Sequence, residues 1–363
     1  MKIIIRKKSL SRIKKSLFIP VSLAPLFLLI IFLSLSIPKL FDYMFFKSNK
    51  VPYFTLNLPE NLTINQNLVE NDRDAELQFE REKLPENIFT PAVPDENRVY
   101  YEVRETDASR KKDECGISVN DSTNSGTNLE EILTADFSPD FKNYELFSGE
   151  PLVLIYHTHT SESFEENFRG FYYEDDIYRT ENEERNVCAV GEALKKVLEK
   201  NGITVIHDTT VHDSPAFNGA YSRSKETALS ILEKYPQIKI TIDLHRDAMI
   251  TDEGLSYKPT TDIGGKKAAQ MMIIAGCDQN NELGYENWLE NLPFSLHVQK
   301  TAEEKYPTLM RPLMFCNRSY NMGLTNTSFL LEVGTQSNTL KEAVYSGELM
   351  GNILSEVIIN NLK

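Results

Sequence analysis

The chain has 363 residues, with 53 Asp/Glu against 39 Lys/Arg and a formal net charge of −14. That length supports a sizeable core. The acidic balance excludes nucleic acid as a partner of the body, because phosphate binding needs a basic face.

The charge is unevenly spread. Residues 1–15 hold seven Lys/Arg and no acid, so the remainder holds 32 against 53, a balance of −21. Residues 16–38 (SLFIPVSLAPLFLLIIFLSLSIP) carry no charge. At about 1.5 Å per residue they would make roughly 35 Å of helix, enough to cross a ~30 Å hydrocarbon core. The stretch is long for a signal peptide and no clear A-x-A cleavage site follows it, so it reads as an uncleaved transmembrane anchor. The basic stub 1–15 then stays in the cytoplasm and the acidic body lies outside the membrane.

Residues 39–148 alternate acid-rich with Asn/Ser-rich pieces, and apolar periodicity is weak. They read as a mostly flexible extracytoplasmic stalk, with a short strand near Val99–Val103. From Gly149 the pattern changes. PLVLIYH reads as a buried strand, NVCAVGEALKKVLEKNG as a helix stopped by Gly202, and ITVIHD as a second strand. AYSRSKETALSILEKYP is a second helix and IKITIDLH a third strand. AQMMIIAGC, a helix through NWLENLPFSLHVQKTAEEKYP, MRPLMFCN, TSFLLEVGT and a closing helix from Thr339 complete the chain. Alternating strands and helices predict one α/β domain over 149–363, three-layered, with a largely parallel sheet and helices on both faces. Cys115, Cys188, Cys277 and Cys316 match no metal or disulfide spacing, and the last three read as buried free thiols.

In open α/β sheets, sites form beyond the carboxyl ends of the strands. Strand one runs into HTHTSE, strand three into HRDA, and the late strand SFLLEVGT carries Glu332. A catalytic zinc takes three protein ligands, usually His and carboxylate, and keeps one position open. His159, Glu162 and His245 fill those places, and Glu332 is left to move protons as general base and acid. The whole describes a metal-assisted amide hydrolase with one Zn²⁺ per domain. His157 faces the same side as His159 if the strand persists, as a fourth ligand, a donor to the transition state or a support. Glu183, ahead of the first helix, is the rival carboxylate ligand. Asp247 is a candidate to orient an imidazole, and Arg246 or Arg223 to grip a substrate carboxylate. His207 and His212 read as part of a solvated loop rather than a second metal pair.

LIYHTHTSESF, VGEAL…LEKNGITVIHD, AYSRS, IDLHRDA and FLLEVGTQSNTLKEA, in this order, resemble the stage II sporulation protein P family over residues 150–363. The resemblance implies a zinc N-acetylmuramoyl-L-alanine amidase, also a peptidoglycan endopeptidase, with the phosphorylase/hydrolase-like fold of zinc amidases. It implies work on the cell wall during forespore engulfment, in the space between mother cell and forespore, with stage II sporulation proteins D and M as partners. On this likeness His159 and His245 take the histidine positions and Glu332 the catalytic one. The carboxylate ligand is Glu162 on a carboxypeptidase-like pattern and Glu183 on an amidase-like one. A carboxypeptidase trimming stem peptides and a non-catalytic wall-binding scaffold are the rival functions.

Overall fold

The computed structural model describes residues 92–113, 116–123 and 125–363. The basic stub, the proposed anchor, Cys115 and the first part of the proposed stalk lie outside these residues. Among the described residues no helix is long and apolar enough to cross a membrane.

Eleven strands and five α-helices are described. The strands are β1 (Tyr100–Thr106), β2 (Val119–Asp121), β3 (Pro151–Tyr156), β4 (Phe171–Tyr173), β5 (Thr204–His207), β6 (Ile240–Asp247), β7 (Ser256–Ile263), β8 (Lys266–Ala269), β9 (Met271–Gly276), β10 (Leu313–Cys316) and β11 (Thr327–Thr335). The helices are α1 (Leu129–Thr134), α2 (Val187–Lys200), α3 (Ala220–Lys234), α4 (Trp288–Lys305) and α5 (Leu340–Asn360).

The main sheet has seven strands in the order β2-β10-β9-β11-β6-β3-β5. β5, β3, β6 and β11 run parallel, so their carboxyl ends share one edge. β9 pairs antiparallel with β11, and β10 and β2 follow its direction. The sheet is largely parallel, as expected, in five of its six pairings, with one reversal between β9 and β11. β3 shows why it is central: all six residues of PLVLIY are buried. Its Val153 and Ile155 join the larger core with α2, α4 and α5, while Leu154 and Tyr156 join Ala228 of α3 in a smaller one. Helices thus cover both faces, as the apolar runs require.

Sequence chemistry sets the helix ends. Asn186 caps α2 by accepting from the Cys188 amide, and Gly202 ends it at φ +83°. Thr339 and Glu342 form a reciprocal capping box on α5. α5 lies close on α2 because Gly347 and Gly351 leave room: a Cβ at Gly347 would stand 2.7 Å from the Val190 carbonyl oxygen, and one at Gly351 2.6 Å from Val197 Cβ.

Of a second sheet, β4-β1-β7-β8, the sequence reading anticipated only β1, as the strand near Val99–Val103. This sheet changes the account of residues 100–148, expected above as stalk. β1 pairs with β4 and β7, β2 extends the main sheet beside β10, and Ile117 and Phe141 are fully buried in the larger core. Buried Lys258 bridges Glu105 of β1 (2.7 Å) and Glu342 of α5 (2.8 Å), tying this early segment to the end of the chain. The short mixed-polarity runs hid most of these elements, because strand partners such as β7 for β1 and β10 for β2 lie far along the chain.

A fragment starting at residue 149 should therefore be markedly less stable than one starting at 92. Each buried apolar side chain stripped of cover costs about 1.5–3 kcal/mol. Thermal unfolding should show a midpoint lower by about 10 °C or more, or no cooperative transition. Equal midpoints would contradict the packing described here.

Candidate metal centre and active site

The parallel strands deliver their ends to one place. β3 leads into the turn His157–Glu162, β6 carries Asp243 and His245 on one face, and β11 pairs Glu332 in register with His245. Register partners across a parallel pair point to the same side about 4.8 Å apart. The turn is closed by the Glu162 amide donating to the His159 carbonyl at 3.0 Å. Beyond it, a short antiparallel bridge sets Glu162 opposite Arg179.

His159, Glu162 and His245 are all buried. The two imidazole centroids are 5.3 Å apart and nearly perpendicular, and Glu162 Oε2 is 3.5 Å from His245 Nδ1. Two imidazoles on one tetrahedral ion with ~2.0–2.1 Å bonds would have centroids about 5 Å apart, and two of its donor atoms would be about 3.4 Å apart. His159 Nδ1 is buried with no hydrogen-bond partner, and so is Glu332 Oε2. The donors thus fit a small cation pairwise, while no trio of His, Cys, Asp or Glu among the described residues is already closed round one point.

The charges at the site differ group by group, and an ion arriving there must displace the proton that His245 holds. Burial opposes ionisation of Glu162, but His245 and Arg246 outweigh it and hold its pKa down to about 2. Burial likewise opposes charge on His245, yet the Asp243 and Glu162 carboxylates hold its pKa well above the usual value. Burial and the neighbouring His245 push His159 down, keeping it neutral as a ligand must be. Glu332 goes the other way: burial, with Asp247 and Glu162 adding to it, raises its pKa to about 8. One carboxyl is kept ionised and the other kept proton-holding near neutrality, which separates binding from proton transfer.

Other expected residues fall elsewhere. His157 faces away from the cleft: Nδ1 meets the Leu244 carbonyl at 2.8 Å and Nε2 meets His207 Nε2 at 2.9 Å. Its role is to hold the turn. Glu183 is exposed and lines a cavity of about 830 Å³ with Cys188, Glu192 and His207, a cavity whose lining includes neither His159 nor His245. Asp247, expected as an orienting group, instead accepts from Arg311 (2.8 Å) and the Ala248 amide. The carboxylate beside His245 is Asp243, with Oδ1 2.8 Å from Nε2. That contact is close but poorly aligned, so it acts mainly through charge. Asp243 also accepts from the Thr158 amide (2.8 Å) and hydroxyl (2.7 Å), anchoring the turn. It could have been found from IDLH, since residues two apart on a strand share a face.

Arg246 donates its amide to Glu162 Oε2 (3.2 Å) and its guanidinium to the Ser163 and Tyr178 carbonyls. Arg223 grips the carbonyls of His212, Ala216 and Asn218. Both brace loops. The loop held by Arg223 lays Phe217 flat on His159, centroids 4.3 Å apart at 8°, and Tyr221 of α3 stands edge-on to the same ring. His212, expected in a solvated loop, is buried between the His157 carbonyl and Thr227. Asp243, Arg179, Phe217 and Tyr221 were not anticipated as site residues.

The sequence matches the profile of the family described as Stage II sporulation protein P (SpoIIP) over residues 48–355. The chain belongs to that family, and the match reaches well upstream of the motifs that first suggested it. Comparison with curated proteins gives no match. Among solved structures, one similar to this chain is the CwlD amidase of Clostridioides difficile in complex with the GerS lipoprotein, 14% identical, covering 58% of this chain and 98% of that one, TM-score 0.36. Another is the N-acetylmuramoyl-L-alanine amidase AmiC2 of Nostoc punctiforme, 13% identical, covering 58% and 96%, TM-score 0.34.

The buried His157–His207 pair gives a pH signature. Burial, with His207 adding to it, lowers His157 to about 3, and burial lowers His207 to about 4. Both lie below the unfolded value of about 6.5, so their contribution is complete above that pH and is lost as pH falls toward 4. Urea unfolding of a His207→Gln variant should show a shallower acid limb, by up to about 1.4 kcal/mol per pH unit. Parallel limbs for the two proteins would refute this.

Proposed function

We propose that this protein is a peptidoglycan hydrolase that cleaves the N-acetylmuramoyl-L-alanine amide, using a zinc ion held by His159, Glu162 and His245. One observation carries the reading. In a chain of the stage II sporulation protein P family, two buried imidazoles and an ionised carboxylate converge beside a second carboxyl that holds its proton near neutral pH.

When bound, a divalent cation polarises the scissile carbonyl and makes water a better nucleophile. The chain supplies the rest. Glu332, once ionised beside a bound cation, accepts a proton from the attacking water and delivers it to the leaving nitrogen; its raised pKa in the metal-free site favours the delivery. Asp243 holds positive charge on or near His245, and Phe217 covers the outer face of His159. The second sheet and the clamped turn keep these groups in place before substrate arrives.

We place the site outside the membrane, tethered by the apolar span 16–38, acting on the wall during engulfment with stage II sporulation proteins D and M. Membrane fractionation of the full chain against one lacking residues 1–38 tests the tether, which fails if both stay with the membranes.

Digestion of purified sacculi by the zinc-loaded full chain, followed by mass analysis, tests the activity. The expected products are free stem peptides and bare glycan, with split crosslinks beside them if the same site also acts as an endopeptidase. Glu332→Gln should lower the rate about 10²–10⁴-fold. Split crosslinks without stem release, single terminal residues or no products at all would contradict the amidase assignment.

A further inference from the structure

The guanidinium of Arg179 is placed unlike the others near the cleft. Arg246 and Arg223 are committed to backbone carbonyls, and Arg311 to Asp247. Arg179 sits opposite Glu162 on the short bridge and uses only Nη1 in hydrogen bonds, to Asp213 Oδ2 at 2.7 Å and Ser161 Oγ at 3.2 Å. Its Nη2 is 3.7 Å from Glu162 Oε1, too far for a hydrogen bond, and its Nε has no partner among the described residues. The Nε–Nη2 edge is the one that takes a carboxylate two-pronged. The side chain is 39% exposed, and its Cζ lies 5.1 Å from the centre of the Phe217 ring that covers His159. Asp213, whose side chain is fully buried, fixes the other edge, so the free edge is held at the rim of the cleft.

We propose that Arg179 is a specificity-determining residue that binds a free carboxylate on the peptide side of the scissile bond. The proposal rests on the amidase reading above. An edge this close to Glu162 lies within one or two residues of the cleaved amide, at about 3.5 Å of chain per residue. The ligand is an acidic peptide whose residue next to the released alanine carries an ionised carboxyl, as a γ-linked glutamate does through its α-carboxylate. A binding site fixed in this way favours anionic stem peptides even though the whole body is negatively charged.

The test compares two fragments, N-acetylmuramyl-L-alanyl-γ-D-glutamyl-L-lysine with the glutamate α-carboxyl free or amidated, the lysine terminus amidated in both. Calorimetric binding is measured on the zinc-loaded full chain carrying Glu332→Gln, which prevents turnover. The free acid should bind roughly ten- to a hundredfold more tightly, the range of a charge-assisted hydrogen bond. Adding Arg179→Gln should remove the preference, and Arg179→Lys should retain part of it. Equal binding of both fragments, binding of neither, or a preference that survives Arg179→Gln would overturn the proposal. A purely structural role would weaken both fragments alike, which also counts against it. Cleavage of the same fragments by the wild-type chain reports separately on the amidase reading. Arg179-dependent preference without muramyl release upholds Arg179 and refutes that reading.

Discussion

The parallel pairing of β6 with β11 is the constraint on which the site depends. It sets His245 and Glu332 side by side on one face of the sheet, at the edge where β3 ends and the His159 turn begins. A slip of one residue in that register would turn Glu332 into the core and leave His245 without its neighbour. The register is specified strongly because β6 and β11 are buried along almost their whole length. Packing therefore fixes the chemistry: the apolar residues that alternate with Asp243, His245 and Glu332 decide where those groups stand.

Concentrating His159, Glu162, Asp243, His245 and Glu332 out of water is costly, and the surroundings show how the cost is met. Asp243 is held by Thr158 and His245, and Glu162 by the Arg246 amide and the nearby Arg179. The turn is over-determined, since His157, His212, Asp243 and Arg246 each grip a different part of it. Among the described residues, His159 Nδ1, His245 Nε2 and Glu332 Oε2 remain without a hydrogen-bond partner in the cleft. Buried polar atoms without partners are uncommon in folded proteins, and they gather where a ligand or a proton is to be received. Preorganisation of this kind is what a hydrolase needs, because the groups need not move when charge develops.

Much of the main sheet was legible in the sequence. β3, β5, β6 and β11 are strongly apolar runs bounded by polar turns, and α2 and α5 show helical spacing with clear stop or capping residues. The meeting of His159, Glu162 and His245 followed from a general rule about strand ends rather than from any single motif. Three things were not legible. The reversal at β9 was hidden because MMIIAG is equally apolar in either direction. β7 and β8 are polar-flecked, with Lys258 and Pro259 inside β7, so the hairpin they form around Gly264 and Gly265 carries little apolar pattern, whereas β1 was anticipated near Val99–Val103. Arg179 and Phe217 lie in loops whose positions are fixed by the Glu162 bridge and by Arg223, tertiary contacts that no local pattern announces. Asp243 was the exception, readable from its two-residue spacing to His245 but passed over in favour of Asp247.

X-ray absorption at the zinc edge on the full chain, loaded with one equivalent of metal, tests the central claim most directly. The account predicts a four-coordinate nitrogen and oxygen shell at about 2.0–2.1 Å with two imidazoles, collapsing in His159→Ala and in His245→Ala. An ion that binds elsewhere, or an unchanged spectrum in those variants, would contradict it.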